Sequence, residues 1–317
     1  MDSVDRIITA GFPRKKYVEP ARENLNFEFF WYYRRELIEE IEFLTLSLDS
    51  RTEPFTLLVI GAAPGYDLIT LLALFPCMQL VVFDPKPIDI RLKLQADRVS
   101  VFQQLFTEST AHRMRTRLVG QLVFMQCYTR IDGGKLGENM ERVRCWHHIV
   151  QPKRGAYEFT LPYDSDASTP FIEGERYLPV WSKEAGSDCR LITAEDTDNE
   201  MEYCHRKHED QMMYFNTEYR LNRFNYNGKV LSYDEYTELN ILEGFVRKFG
   251  VSCTTPELLF KVITQDLSRF PMKPDWWEDK IKRISRRISH TDPPLMGWAY
   301  TSTKRGVRNS RTGSISH

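Results

Sequence analysis

The 317-residue sequence has no apolar run approaching the roughly 18 residues that a bilayer-crossing helix needs. Its longest, residues 68–75, has the length of a buried helix face, so no membrane partner is expected. The six cysteines, at 77, 127, 145, 189, 204 and 253, form no C-x-x-C pair and keep no regular spacing. Scattered thiols of this kind read as reduced, which points to an intracellular protein. The first residues carry Asp, Arg and Lys without an apolar core, so no secretory signal is expected. No internal repeat is visible. G-x-G-x-x-G is absent, which disfavours a nicotinamide dinucleotide, and the missing GK[ST] excludes a P-loop. The formal charge of −1 hides local asymmetry and excludes neither nucleic acid nor protein partners.

What is present is the composition of a folded chain: 42% hydrophobic, 13% aromatic and 27% charged residues. The length suits one large α/β domain or two small ones. Residues 26–48 place Leu37, Ile41 and Leu44 at helical spacing. Residues 55–61 are a continuous apolar run closed by glycine, as a buried parallel strand should be. Residues 66–75 predict a helix stopped by Pro76. Further strands are expected at 79–84, 99–103, 122–127, 156–161, 176–181 and 188–194. Strand–helix–strand order with short links predicts a mainly parallel sheet with helices on both faces, a Rossmann-like architecture. After residue 195 the pattern turns helical, with helices expected at 200–219, 233–249, 256–270 and 276–289. The expected organisation is an N-terminal arm (1–25), a Rossmann-like domain (26–195), a helical part packed on it (196–300) and a disordered basic tail (301–317).

The most informative segment is Leu57-Leu58-Val59-Ile60-Gly61-Ala62-Ala63-Pro64-Gly65. A strand running into such a loop and then a helix sets backbone N–H groups beside a ligand. Gly61 and Gly65 are expected because a Cβ would block the turn and the ligand. Asp84, closing the next strand, is placed to accept hydrogen bonds from a ribose diol. Together they indicate a nucleoside-containing cofactor; the bland alternative is a glycine turn that is merely structural.

From this loop onward the sequence resembles the viral cap 2′-O-methyltransferases, in particular the poxvirus-type family whose member also stimulates poly(A) polymerase. LLVIGAAPGYD resembles that family's first strand and loop, VVFDPKPID its second strand, and DRVSVFQQLFTES its third. Gly133-Gly134 falls at a glycine pair after strand four. DCRLI, from Asp188, resembles the segment with the last catalytic acid, and HEDQMMYFN, from His208, a late helix. The resemblance covers most of residues 17–270. It implies a class I S-adenosylmethionine methyltransferase fold. It implies S-adenosylmethionine or S-adenosylhomocysteine as ligand, held by Gly61, Ala63, Pro64, Gly65, Asp67, Asp84, Lys86 and Phe102.

The family's Lys-Asp-Lys-Glu tetrad uses a lysine of lowered pKa to deprotonate a ribose 2′-hydroxyl. Here the first lysine falls near Arg34 or Arg35, and arginine cannot shed its proton. The aspartate falls in Gln126-Cys127-Tyr128, with Asp132 only after the loop; the central lysine falls on Glu158 and the final glutamate on Asp188. Lys153 enters only if the strand shifts by about a turn. The expected site is therefore degenerate: Arg35, Cys127, Glu158 and Asp188. The family's cap pocket, two aromatic rings and two acids around a cationic guanine, corresponds to Tyr17, Tyr163, Asp164 or Asp166, and Glu209.

Three functions follow. The first is a viral-type RNA-processing protein, catalytically degenerate, that binds capped or single-stranded RNA or serves as a protein partner in a transcription or polyadenylation complex. It would be intracellular, cytoplasmic or virion-associated. The second is an active cap methyltransferase with a rearranged base, and the third a scaffold subunit with neither ligand. Cys204, His205 and His208 lack a second ligand pair and read as a solvated helix face rather than a metal site. Lys280, Lys282, Arg283, Arg286 and Arg287 form a basic face that either tracks phosphates or coats a surface helix.

Overall fold

The computed structural model describes residues 6–18, 29–128, 136–162, 166–182, 188–251 and 254–268. The expected helix at 276–289, the basic face on it, the tail, and Gly133-Gly134 lie outside the described residues.

A seven-stranded sheet forms the centre. Its strands are β1 (Phe55–Ile60), β2 (Met78–Phe83), β3 (Val99–Phe102), β4 (Val123–Cys127), β5 (Arg154–Phe159), β7 (Gly174–Tyr177) and β8 (Cys189–Thr193). They lie in the order β3-β2-β1-β4-β5-β8-β7. β1 to β5 are parallel, and β8 enters antiparallel between β5 and β7. Every residue of β1 is buried, because both faces of the sheet are covered. Alternation along the strand divides them: Leu57 and Val59 join one core, Leu58 and Ile60 the other.

The first core packs against α1 (Phe29–Ser47), α2 (Tyr66–Leu74), α7 (Tyr233–Phe249) and α8 (Pro256–Ser268). Leu37, Ile41 and Leu44 form the buried stripe of α1, continued by Leu48 just after it. α7 begins at a capping box between Ser232 and Glu235 and ends at Gly250 in the left-handed region, so both helix ends are satisfied. The second core packs against α4 (Glu108–Arg117), α5 (Leu136–Val150) and α6 (His205–Tyr214). A short α3 (Ile90–Lys93) follows β2.

Three expectations are corrected, and part of the expected arm is found docked. Residues 200–219 are not one helix: Glu200–Cys204 is a strand, β9, paired with β6 (Ser168–Ile172). α6 follows and ends in a π-helical turn at Phe215–Tyr219. The nearly all-helical C-terminal part also contains a hairpin, β10 (Arg223–Tyr226) and β11 (Lys229–Ser232). The strand expected at 176–181 is Gly174–Tyr177, because Leu178–Trp181 leave the sheet for the interior. Residues 6–18 of the expected arm dock on the body: Ile7 bridges to Tyr177, Ile8 is core, and buried Arg6 pairs with Glu42 of α1. Among the described residues no helix is long and apolar enough to cross a membrane.

Candidate functional site

Strand order reverses between β1 and β4, and in an open parallel sheet the crevice at such a switch point receives the ligand. The glycine loop closes β1 at this point. Gly61 has φ +83°, and a Cβ there would lie 2.3 Å from the carbonyl oxygen of Tyr128. What demands glycine here is therefore the chain after β4, not only a ligand. Gly65, at φ +74°, starts α2 without a side-chain cap and would bring a Cβ to 2.9 Å from Leu92. Asp84 ties the loop down: its Oδ2 accepts the Ala63 N–H at 2.8 Å and its Oδ1 the Lys86 N–H at 2.7 Å. A carboxylate has about four acceptor positions, so capacity for a diol remains. Ala63 and Pro64 are half-buried, and Lys86 is exposed. Phe102 stacks on Phe83 at 4.6 Å with Arg117 over its ring at 5.5 Å. Asp67 does not line the loop's open side; only 2% exposed, it interacts with Glu40 of α1.

The four degenerate tetrad positions meet at the same edge of the sheet. Arg34 is not the one that does so. Its guanidinium makes a bidentate pair with buried Glu238 at 2.7 and 2.8 Å and lies 4.4 Å over Phe260, fastening α1 to α7 and α8. Arg35 instead pairs with Asp188 at the mouth of β8, and its Nε donates to Glu39 at 2.8 Å. Those acids hold its charge firmly, although burial alone would oppose it. Glu158 stands opposite Arg190 across β5 and β8 and acts on both Arg35 and Cys127. Burial, and then Glu158, push the Cys127 thiol far up, so it stays neutral. None of the four positions holds an amine that could lose a proton.

Lys153 does not supply one. It sits before the first residue of β5, at the opposite edge, bound to Glu195 at 2.9 Å and Asp196 at 3.0 Å. Asp132 lies outside the described residues. Sequence reasoning missed Glu39, Glu40, Tyr128 and Arg190. Glu39 holds both arginines, accepting from Arg190 at 3.0 and 3.1 Å. Arg190 lies 4.8 Å over Tyr128, whose hydroxyl donates to Glu40 at 2.6 Å. The signal for Glu39 and Glu40 was available: two acids on the inward stripe of a helix need buried partners.

Of the expected cap residues, Tyr163 and Asp164 lie outside the described residues. Tyr17 is half-buried, and its N–H donates to Asp210 of α6 at 3.1 Å, so it lies beside the helix carrying buried Glu209. Asp166 pairs with Arg206 of the same helix. The expected solvated face is corrected, because only Cys204 is exposed: His205 and His208 are buried and bonded, His205 to Thr169 at 2.8 Å and His208 to Arg176 at 2.8 Å. Among the described residues no cluster could hold a metal ion. Two surface depressions, of about 510 and 260 Å³, flank the loop 118–122 at the sheet edge opposite the glycine loop.

Parallel strands in the order found here, the antiparallel β8 inserted before the edge, and the glycine loop with its acid define a methyltransferase-like, Rossmann-type α/β fold. No family model matches the sequence, and no curated protein does. Solved structures similar to it include the bifunctional kinase-methyltransferase WbdD (TM-score 0.31, 11% identity, 51% of this chain and 39% of that one). Others are a point mutant of MtNAS (0.32, 14%, 52% and 61%) and spermidine synthase from Thermotoga maritima (0.32, 11%, 77% and 76%). The chain thus spans under two thirds of the length of the first two. Likenesses this distant identify no substrate, and the fold assignment stands on strand order.

Proposed function

We propose that the protein is a catalytically degenerate relative of the viral cap 2′-O-methyltransferases. In this reading it holds S-adenosylmethionine or S-adenosylhomocysteine at the glycine loop and works by binding capped or single-stranded RNA, or as a subunit of a viral RNA-processing, transcription or polyadenylation complex. Its site of action would be the cytoplasm or the virion. The observation that carries the reading is the Arg35–Asp188 ion pair, flanked by Glu158 and Cys127, where methyl transfer to a ribose hydroxyl needs a neutral amine. A guanidinium with two carboxylates on it cannot act as that base. The bracketed glycine loop supports a retained nucleoside site, and the juxtaposition of Tyr17 with α6 supports a retained base-stacking site.

Calorimetry with S-adenosylhomocysteine and retention on cap-analogue resin test the two halves. The reading expects micromolar binding of the nucleoside, weakened at least tenfold by Asp84→Ala. It expects cap retention that Tyr17→Ala reduces. No binding at millimolar nucleoside removes the cofactor half, and equal retention of both proteins removes the cap half.

A further inference from the structure

Beneath the glycine loop lie two carboxyl groups too deeply buried to touch a ligand. Glu40 on α1 is completely buried, and Asp67, in the first turn of α2, is 2% exposed. The two side chains interact directly. Glu40 Oε1 accepts the Tyr128 hydroxyl at 2.6 Å, and Gln126 Nε2 in turn donates to that hydroxyl at 2.9 Å. Glu40 Oε2 and Asp67 Oδ1, however, have no hydrogen-bond donor, although both are sealed from solvent. Two ionised carboxylates are acceptors only and cannot satisfy each other. One proton between them turns the contact into a charge-assisted hydrogen bond and leaves a single negative charge.

We propose that Glu40 and Asp67 share one proton, and that this protonated pair positions the Gly61–Gly65 loop, so that the loop's hold on a nucleoside ligand weakens as pH rises. The ligand half of the proposal rests on the reading above; the proton-sharing half does not.

The geometry gives the pair leverage over the loop. Asp67 follows Gly65 by two residues, in the turn of α2 that the loop feeds. Tyr128, held by Glu40, donates its N–H to Ile60 at 2.9 Å and sets its carbonyl against Gly61. The pair therefore joins α1, the start of α2 and the end of β4, the three elements that frame the loop. Around it stand Glu36 and Glu39 of α1, Tyr128 after β4, and Arg190 of β8. Arg190 is the one cation among these, and Glu39 already occupies it through two of its nitrogens. Removing the proton would leave two like charges in a dry site with nothing new to neutralise them. Burial is the main reason both acids resist ionisation, and Asp67 is pushed up to about 7. That value belongs to the first of the two protons; the shared one stays on Glu40, held well above its usual range by burial and by the ionised Asp67, so the expected transition lies on the alkaline side of neutral.

The test is calorimetry of S-adenosylhomocysteine with the full chain from about pH 7 to about pH 10, for the wild type and Glu40→Gln. The glutamine keeps an oxygen for Tyr128 and gives Asp67 a permanent N–H donor. The wild-type Kd is expected to rise up to about tenfold per pH unit above the transition, and the Glu40→Gln Kd to stay flat. A flat wild-type profile, or the same slope in both proteins, overturns the proposal. Should the nucleoside not bind at any pH, the ligand reading fails by itself. The shared proton is then read from melting temperature over the same range: falling with pH in the wild type and level in the variant supports it, and parallel curves overturn it. If Glu40→Gln does not fold, Asp67→Asn, with its own permanent donor, takes its place under the same criteria.

Discussion

Arg35 on α1 and Asp188 at the mouth of β8, 153 positions apart in sequence, form an ion pair where the resemblance puts the first lysine and last acid of a methyl-transfer tetrad. Glu39, one helical turn along from Arg35, takes the other side of the guanidinium. Arg35→Ala is expected to lower unfolding stability by about 3 kcal/mol, because Glu39 would lose one of its cations in the interior. Urea denaturation measures it. Arg35→Lys should cost less and still give no methyl transfer, since the same two acids would hold an amine in its charged form.

The two loop glycines should separate in their tolerance. Both have positive φ, but Gly61 faces an immovable carbonyl and Gly65 the end of a leucine side chain. Gly61→Ala is expected to cost more than about 3 kcal/mol, and Gly65→Ala about 1–2 kcal/mol. Thermal unfolding of the two variants gives the order; equal losses would contradict it.

The sheet was legible chiefly because its central strands are apolar runs with clear ends, β1 at Gly61 and β2 at Asp84. The polar elements were not. Glu200–Cys204 alternates Met201 and Tyr203 with acids, but the run is short and buries only Tyr203, so it blended into the helix that follows. The hairpin was readable and overlooked: Asn227 and Gly228, at φ 50° and 80°, are the Asn-Gly pair of a tight two-residue turn. At the site, the resemblance named Arg35, Cys127, Glu158 and Asp188 by position. It did not name Glu39, whose place on the inward stripe of α1 signalled only that a buried partner was needed; that the partner is Arg190 depends on the approach of α1 to β8, which no local pattern encodes.

Arg34 and Glu238 form the buried pair that fixes α7 to α1, with Trp181 Nε1 also donating to Glu238 at 2.6 Å. Glu238→Ala leaves a guanidinium and an indole N–H without their acceptor. The expected loss is about 3–5 kcal/mol, again by urea denaturation. Exposed Glu202→Ala, a control on β9, should change stability by less than about 0.5 kcal/mol.

His147 introduces an acid-side dependence. It is buried between the Tyr157 hydroxyl at 2.7 Å and the Thr197 carbonyl at 2.9 Å, and burial holds it below its usual 6.5. The unfolded chain then binds the proton more readily than the folded one. This contribution to stability is complete above about pH 6.5 and is lost as pH falls through the depressed folded value. Melting temperature should drop between pH 6.5 and 5, and His147→Gln should flatten that limb.

On the proposed reading the protein binds a nucleoside through a methyltransferase-like fold and carries out no 2′-O transfer. The most direct test of this reading is incorporation of labelled methyl from S-adenosylmethionine into a short capped RNA, using protein already shown by calorimetry to bind S-adenosylhomocysteine. The expected result is saturable nucleoside binding with methyl incorporation at the level of the no-protein control. Multiple-turnover incorporation at the 2′-oxygen, abolished by Asp188→Ala, would contradict it.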